Sequence, residues 1–232
     1  MSFVRELGVH RATAILRCDD AELARAAMNA AVAGGFRSIE FTLTTPGAFE
    51  LIAEFAGRTG LSVSGGLDRL HVGAGTVLTV EQARRAVDAG ATFVVSPIAD
   101  PMIIAAAREM GVAAIPGVHT PTEMVMAHRA GAPLLKLFPA PAGGPAWLRS
   151  VRGPLPFLRV VPTNGVDLDN AGAWLRAGAW GLGFVASLFS PGDLQSRNVA
   201  AIESRARAIR AAIDAVEVGP PSIGVDPFAS AS

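Results

Sequence analysis

The feature that most constrains the fold is a regular alternation of short apolar runs with longer segments rich in Ala, Arg and Glu. The apolar runs predict eight strands, at 13–17, 38–42, 70–75, 93–97, 113–117, 134–139, 159–163 and 180–186. The longer segments predict a helix after each strand, at 20–33, 46–57, 79–89, 100–110, 120–130, 144–151, 168–177 and about 194–215. Eight strand–helix units with short connections predict an α/β fold, a (β/α)8 TIM barrel.

The alternative for such an alternation is an open, doubly wound sheet that binds a dinucleotide. Its glycine fingerprint is missing, because the run Gly73-Ala74-Gly75-Thr76 has no third glycine at the required spacing. No change of composition divides the chain, so we predict a single barrel domain over 1–216. Residues 217–232 contain the run Gly219-Pro220-Pro221 and lack periodicity, which predicts a poorly ordered C-terminal tail.

Composition excludes several classes of partner. The chain has 20 basic and 20 acidic residues among 232, so its net charge is zero and it lacks the positive charge that nucleic-acid and acidic-lipid binders concentrate. Its one cysteine, Cys18, excludes an internal disulfide and a multi-cysteine metal site. The N-terminus does not have the pattern of a signal peptide, and no apolar run is long enough to cross a bilayer. We therefore expect a cytoplasmic protein with no nucleic-acid or membrane partner.

Two charged residues fall on strand positions that face the barrel interior. Side chains alternate along a strand, and Ile39 and Phe41 suit the helix-facing side of the second strand, so Glu40 points inward. Lys136, the one lysine in the chain, lies in the apolar sixth strand, where only the barrel mouth offers a polar partner. A buried ion pair is a poor source of stability, so this pair favours function over structure.

An inward amine next to a carboxylate is typical of one kind of chemistry. An amine in apolar surroundings can lose its proton, attack a carbonyl and form a Schiff base. The protonated imine then withdraws electrons, so that a carbon–carbon bond one position further out can break. Glu40, four strands from Lys136 around the barrel, can move the protons that this reaction needs. The pair predicts a class I aldolase or lyase.

Six blocks of sequence resemble a known family. They occur in order over about 12–190 and read IEFTL at 39–43, VGAGTVL at 72–78, VSP at 95–97, IPG at 115–117, LKLFPA at 135–140 and VPTNGV at 161–166. These blocks are similar to those of the 2-keto-3-deoxy-6-phosphogluconate (KDPG) and 4-hydroxy-2-oxoglutarate (KHG) aldolases. The block AILR at 14–17 is most similar to the phosphogalactonate branch of that family.

The resemblance implies a (β/α)8 barrel, in most members a homotrimer, that cleaves a small-molecule 2-keto-4-hydroxy acid to pyruvate and an aldehyde. It implies no metal and no cofactor. Lys136 would be the Schiff-base lysine and Glu40 the general acid and base. The positions that match substrate-binding residues of the family are Arg17, Thr76, Pro97, Phe138, Thr163, Asn164, Gly165 and Ser187.

The sequence departs from the family at the positions that bind the two ends of the substrate, its carboxylate and its phosphate. The phosphogluconate branch has an arginine shortly after its glutamate, where this chain has Thr44, so we expect Arg17 to bind the pyruvate carboxylate instead. Family members bind phosphate with a Gly-Gly pair after strand seven and a Gly-Ser turn after strand eight. This chain has Asn164-Gly165 and, before Ser187, Val185-Ala186. These side chains predict a weakened phosphate site, and hence a shorter or unphosphorylated aldehyde product.

Other functions stay open at this point. A phosphosugar isomerase or epimerase on the same barrel would depend on a carboxylate or histidine rather than on Lys136, and a non-catalytic barrel would bind a keto acid without turnover. His119, after strand five, is either a proton donor or substrate ligand, or a capping or solvated loop residue. Histidines and carboxylates form no cluster at metal-ligand spacing, which disfavours a metal site. The segment 62–69 has no assigned role.

Overall fold

The computed structural model describes residues 2–58, 69–219 and 223–229. Ten helices within these ranges are α1 (Ser2–His10), α2 (Ala21–Ala33), α3 (Ala48–Ala56), α4 (Val80–Asp88), α5 (Pro101–Glu109), α6 (Pro121–Arg129), α7 (Gly144–Arg152), α8 (Ala171–Arg176), α9 (Pro191–Gln195) and α10 (Val199–Asp214). The strands are β1 (Ala12–Leu16), β2 (Ser38–Thr42), β3 (His71–Gly75), β4 (Phe93–Ser96), β5 (Ala113–Val118), β6 (Leu135–Leu137), β7 (Val160–Pro162) and β8 (Leu182–Phe184).

The eight strands form one parallel sheet in the order β7-β6-β5-β4-β3-β2-β1-β8, in which consecutive strands pair from β1 to β7 and β8 pairs with β1. A parallel bridge from Thr163 to Gly183 joins the ends of this sheet, so that β7 meets β8. The backbone N–H of Trp180 also donates to the carbonyl of Val160 at 2.8 Å. The predicted (β/α)8 barrel is therefore confirmed.

Local sequence explains where several helices begin. The side chains of Asp20, Thr79, Asp100 and Thr120 each accept a hydrogen bond from a backbone N–H in the first turn of α2, α4, α5 and α6. Such caps satisfy donors that have no partner inside the helix. Each of these helices thus starts at the C-terminal end of the preceding strand, which keeps the connection on this face of the barrel short.

Alternate residues of the strands belong to two different apolar cores. The larger core lies between the barrel and its helices and includes Ile39, Phe41 and Leu135. The smaller fills the barrel interior, with Phe93 and Ile115 among its members. Because successive side chains on a strand point to opposite faces, residues next to the first set point inward, as Glu40 and Lys136 do.

The N-terminal helix α1, for which the sequence analysis had no counterpart, closes the N-terminal end of the barrel. Phe3 stacks on Phe93 with ring centroids 4.3 Å apart. The indole Nε1 of Trp180 donates to the carbonyl of Val4 at 2.9 Å. Glu6 reaches Nε2 of His71 at 2.8 Å, and burial lowers the pKa of His71. These contacts make α1 the floor beneath the apolar interior.

Among the elements whose limits differ from the prediction, three have a local explanation. Strand β6 ends at Leu137, and Pro139, which has no N–H to donate, follows soon after. Strand β8 is confined to Leu182–Phe184, because the N–H groups of Leu188 and Phe189 turn back onto the carbonyl of Val185. The helix predicted over about 194–215 is two helices, α9 and α10. They meet at Arg197, which has a φ of 53°.

Part of the predicted tail contacts the barrel. Oδ2 of Asp226 lies 2.9 Å from Nε2 of His128, and Phe228 packs edge-on against Phe157 with ring centroids 5.9 Å apart. Residues 220–222 and 230–232 lie outside the described ranges. The limits of 1–216 for the domain and 217–232 for the tail stay predictions. In the described part of the chain, every helix is too short or too polar to cross a bilayer.

Candidate active site

Lys136 and Glu40 meet inside the barrel. Lys136 is the middle residue of β6 and Glu40 the middle residue of β2, and Nζ of the lysine lies 3.9 Å from Oε1 of the glutamate. Their side chains are 11% and 2% exposed, respectively. The alternation of side chains along two strands on opposite sides of the barrel thus brings one amine and one carboxylate together, as the sequence predicts.

The Glu40 carboxylate is poorly solvated. Its Oε1 is buried and has no hydrogen-bond partner. Burial raises the pKa of Glu40, and the positive charges of Lys136 and Arg17 oppose that rise without cancelling it. A carboxyl in this position can hold a proton at a pH at which an exposed glutamate is ionised. It is therefore suited to both accept and donate protons.

A guanidinium and a hydroxyl stand beside this pair. Arg17 follows β1, is exposed, and donates from Nη2 to Oγ1 of Thr76 at 3.3 Å. Thr76 follows β3 and has a φ of 59°, in the left-handed region that few residues other than glycine adopt. Arg17 follows β1 and Thr76 follows β3, the two strands that flank β2, so this cation lies on the same side of the mouth as Glu40.

Apolar groups border the amine. The ring centroid of Phe138 is 5.2 Å from Nζ of Lys136, and the ring is partly exposed at the mouth. Pro97 follows β4 and is half-buried. Gly117, in β5, pairs with Lys136, and a Cβ on Gly117 would lie 2.2 Å from the carbonyl oxygen of Pro97. The neighbouring strand therefore leaves no room for a side chain at Gly117.

The ends of β7 and β8 form the other side of the mouth. Thr163 is buried, and its hydroxyl donates to the carbonyl of Val161 at 3.4 Å. Asn164 and Gly165 follow it with φ values of 60° and 113°, and Ser187 donates from Oγ to the carbonyl of Val166 at 2.7 Å. No described hydrogen bond uses the backbone N–H groups of Gly165, Val166, Ala186 or Ser187.

Two polar side chains, those of His119 and Arg159, lie away from the pair. The ring of His119 is at the exposed rim after β5, 6.5 Å from the ring of Trp147. Arg159 contacts Trp180 at the N-terminal end of the barrel, 5.1 Å from the ring centroid. Of the segment 62–69, residues 62–68 lie outside the described ranges. Within those ranges, no group of three or more His, Cys, Asp or Glu residues could hold a metal ion.

Gly75 is absent from the predicted site, although it borders Glu40. A Cβ on Gly75 would lie 1.9 Å from Oε1 of Glu40. The signal in the sequence is the Gly73-Ala74-Gly75 run, which is an incomplete nucleotide fingerprint and also part of the family-like block at 72–78. The role of each glycine in this run depends on which side chain of a neighbouring strand occupies the space that the glycine leaves.

Comparison with known families decides the assignment. The family model described as KDPG and KHG aldolase matches residues 5–205, which is most of the chain. This protein belongs to the KDPG and KHG aldolase family. The aldolase is therefore a carbon–carbon lyase, which favours the first of the three functions that the sequence left open.

Two groups of curated relatives match this aldolase to different extents. The probable 2-dehydro-3-deoxy-6-phosphogalactonate aldolase of Rhizobium meliloti is 37% identical over 207 residues, covering 89% of this chain and 92% of the relative. The 2-dehydro-3-deoxy-phosphogluconate aldolase of Treponema pallidum is 40% identical over 142 residues, covering 61% of this chain and 64% of that protein. The phosphogalactonate enzyme thus matches along nearly its whole length, and the phosphogluconate enzyme over less than two thirds.

Solved structures agree with the aldolase assignment. A native KDPGal structure superposes with a TM-score of 0.77 at 30% identity, covering 88% of this chain and 94% of the other. A KDPG aldolase from Legionella pneumophila has the same TM-score at 25% identity, covering 89% and 97% of the two chains. That enzyme was solved with pyruvate captured at low pH as a covalent carbinolamine intermediate. Class I chemistry is therefore established in a structural relative.

Proposed function

We propose that this aldolase uses Lys136 as its nucleophile and Glu40 as its proton shuttle. The observation that carries the proposal is the 3.9 Å approach of Nζ to a buried carboxylate oxygen that has no other polar partner. The substrate is a 2-keto-4-hydroxy acid, because its keto group can form the imine and its C4 hydroxyl can leave as an aldehyde oxygen. No cofactor is needed for these steps.

The cleavage proceeds through an imine. The lone pair of Nζ attacks C2, the carbinolamine loses water, and a protonated imine forms. Removal of the C4 hydroxyl proton then lets the electrons of the C3–C4 bond move into the imine, which releases the aldehyde and leaves an enamine. Protonation at C3 and addition of water release pyruvate and restore the amine. Glu40, directly or through a water molecule, accepts and returns these protons.

Arg17 and Thr76 are proposed to bind the C1 carboxylate. The guanidinium is held at the mouth by its hydrogen bond to Thr76 and lies on the Glu40 side of the barrel. Arginine offers several N–H donors in a planar arrangement that suits a carboxylate. Pro97 and Phe138 would then form apolar walls around the pyruvyl group. Phe138 is supported by its distance of 5.2 Å from Nζ.

The ends of β7 and β8 are proposed to hold the distal end of the substrate, with Thr163, Asn164, Gly165 and Ser187 around it. The side chains in these loops predicted a weak phosphate site. No described hydrogen bond uses the backbone N–H groups of Gly165, Val166, Ala186 or Ser187, which supports a phosphorylated distal end instead, because backbone N–H groups in such loops can bind anions whatever the side chain. The nearly full-length match to a phosphogalactonate aldolase also supports it, so we propose 2-keto-3-deoxy-6-phosphogalactonate as the preferred substrate.

A substrate panel tests both parts of this proposal. Pyruvate release is measured with a coupled lactate dehydrogenase assay on 2-keto-3-deoxy-6-phosphogalactonate, its gluconate epimer, their unphosphorylated counterparts and 4-hydroxy-2-oxoglutarate. We expect the highest kcat/KM on phosphogalactonate and no activity in Lys136→Arg, which keeps the positive charge but cannot form an imine. Equal activity on phosphorylated and unphosphorylated acids would refute the phosphate assignment. Retained activity in Lys136→Arg would refute the mechanism.

We also propose that the aldolase is a homotrimer, as the family resemblance implies. Leu78, Ile98 and Met102 are 48%, 52% and 68% exposed and lie near the C-terminal ends of β3 and β4. Leu78 and Ile98 belong to the loops after β3 and β4, and Met102 to the first turn of α5. Exposed apolar side chains that form a patch are typical of a subunit interface. Native mass spectrometry should show a trimer that Met102→Glu weakens. A monomer at micromolar concentration would contradict this proposal. The cytoplasmic location stays a prediction.

A further inference from the structure

Strand β3 presents two glycines to the barrel interior. In the sheet register Gly73 pairs with Glu40 of β2, and Gly75 pairs with Thr42. We infer that Gly75 is a positioning residue for the aldol reaction: its missing side chain is the space in which the Glu40 carboxylate is held towards Lys136. The inference rests on the catalytic roles proposed above for Glu40 and Lys136.

The geometry around Gly75 identifies the atom that fills this space. A Cβ on Gly75 would lie 1.9 Å from Oε1 of Glu40, 2.7 Å from Cδ and 2.9 Å from Cγ. Oε1 is also the atom that lies 3.9 Å from Nζ of Lys136. Even one added methyl group would therefore occupy the position of the oxygen that faces the amine.

The other glycine of the run has a different neighbour. A Cβ on Gly73 would lie 2.2 Å from the ring of Phe93, a residue of the apolar barrel interior. Gly73 thus makes room for packing from β4, whereas Gly75 makes room for a charged side chain from β2. Of the two, only Gly75 affects a group that takes part in the reaction.

The chain can accommodate alanine at Gly75 by moving Glu40. The backbone of Gly75 is not in the left-handed region, so alanine imposes no conformational strain there. The atoms in its way are the end of a flexible side chain rather than backbone. We therefore expect Gly75→Ala to fold and to displace the carboxylate from Lys136, which slows each proton transfer. Because general acid–base catalysis contributes about 100-fold or more, kcat should fall by about that factor.

A second substitution, Glu40→Asp, distinguishes a loss of Glu40 positioning from a general disturbance of the fold. Aspartate is one methylene shorter than glutamate, which withdraws the carboxylate by about 1.5 Å. Its side chain has no atom at the place of Oε1, 1.9 Å from the new methyl group, so only smaller shifts are needed at the places of Cδ and Cγ, 2.7 and 2.9 Å away. The effect of Gly75→Ala on kcat is measured twice, once with Glu40 present and once in the Glu40→Asp background. Gly192→Ala is the matched control, because a Cβ there meets no atom within 4 Å and lies on α9.

We expect Gly75→Ala to lower kcat about 100-fold when Glu40 is present and by no more than about threefold in the Glu40→Asp background. Its effect on KM should be small, and Gly192→Ala should leave kcat unchanged. An equal loss in both backgrounds, or a kcat within about threefold of the parent protein, would overturn the inference. If Gly75→Ala proves difficult to fold, Glu40→Asp should restore the folding yield, and failure to do so would also overturn it.

The Lys136→Arg variant of the substrate panel, assayed beside Gly75→Ala, distinguishes this inference from the proposed function. If Lys136→Arg in the parent chain cleaves the substrate normally, the proposed mechanism is wrong, whatever Gly75 does. If Lys136→Arg is inactive and Gly75→Ala is fully active, the mechanism stands and only the positioning role is wrong.

Discussion

Replacing Lys136 by methionine removes the cation that lies 3.9 Å from Oε1 of Glu40. Two unit charges at this distance attract by about 4 kcal/mol at an effective dielectric constant of about 20. That figure is an upper limit on what the lysine contributes to keeping the buried carboxylate ionised. Methionine approximates the shape of the lysine stem, so the packing around β6 should change little.

The expected result is a change in how stability depends on pH. Burial raises the pKa of Glu40 above its ordinary value of 4.5, so the folded protein binds this proton more tightly than the unfolded chain. The stability from that proton is fully present below the unfolded pKa and is lost as pH rises through the folded pKa. Because Lys136 lowers the folded pKa, removing it extends the loss to higher pH. The slope approaches about 1.4 kcal/mol per pH unit for one proton.

Urea denaturation from about pH 5 to about pH 8 measures this effect. The free energy of unfolding of Lys136→Met should fall relative to that of the parent protein across this range, by up to about 4 kcal/mol in total. Lys136→Met/Glu40→Gln is the control and should lose the added slope, since the second change removes the titrating carboxyl.

A curve for Lys136→Met that runs parallel to that of the parent protein at every pH would refute this reasoning. It would mean that the lysine does not influence the ionisation of Glu40. An identical slope in the single and double variants would refute it as well, because the slope would then come from another group.

Two further predictions concern the floor of the barrel and the mouth. Phe3→Ala should lower the free energy of unfolding by about 3–5 kcal/mol in urea denaturation, because Phe3 is buried and stacks on Phe93. Val9→Ala, at an exposed position of the same helix, should change this free energy by less than about 1 kcal/mol. Equal effects would contradict the role of α1 as a floor. Arg17→Ala should raise the pyruvate concentration that half-saturates imine formation about 10-fold or more, since a charged hydrogen bond to the carboxylate is lost. An unchanged half-saturation would show that Arg17 does not bind the carboxylate.

The barrel and the central pair could be predicted because they depend on periodicity. The strand count, the parallel order and the inward direction of Glu40 and Lys136 follow from alternation along strands and from the closure of eight units. The strand–helix pattern is repeated eight times along the chain, so a single departure, such as the early end of β6, does not change the predicted fold.

Features that depend on distant neighbours could not be predicted. Helix α1 is stabilised by Phe93, His71 and Trp180, which lie far away in the chain. The role of Gly75 depends on the direction of the Glu40 side chain in the next strand. The phosphate site that we propose at the loops after β7 and β8 depends on backbone N–H groups, whereas the sequence shows only side chains.

The most direct test of the central claim is reductive trapping of pyruvate. Lys136 is the one lysine in the chain, so an adduct on a lysine side chain has a single possible position, and peptide mapping separates it from one on the N-terminal amine. Incubation with pyruvate and borohydride should give a reduced adduct on Lys136 that is absent in Lys136→Arg. No adduct on Lys136, in a protein that still cleaves its keto acid, would contradict the account.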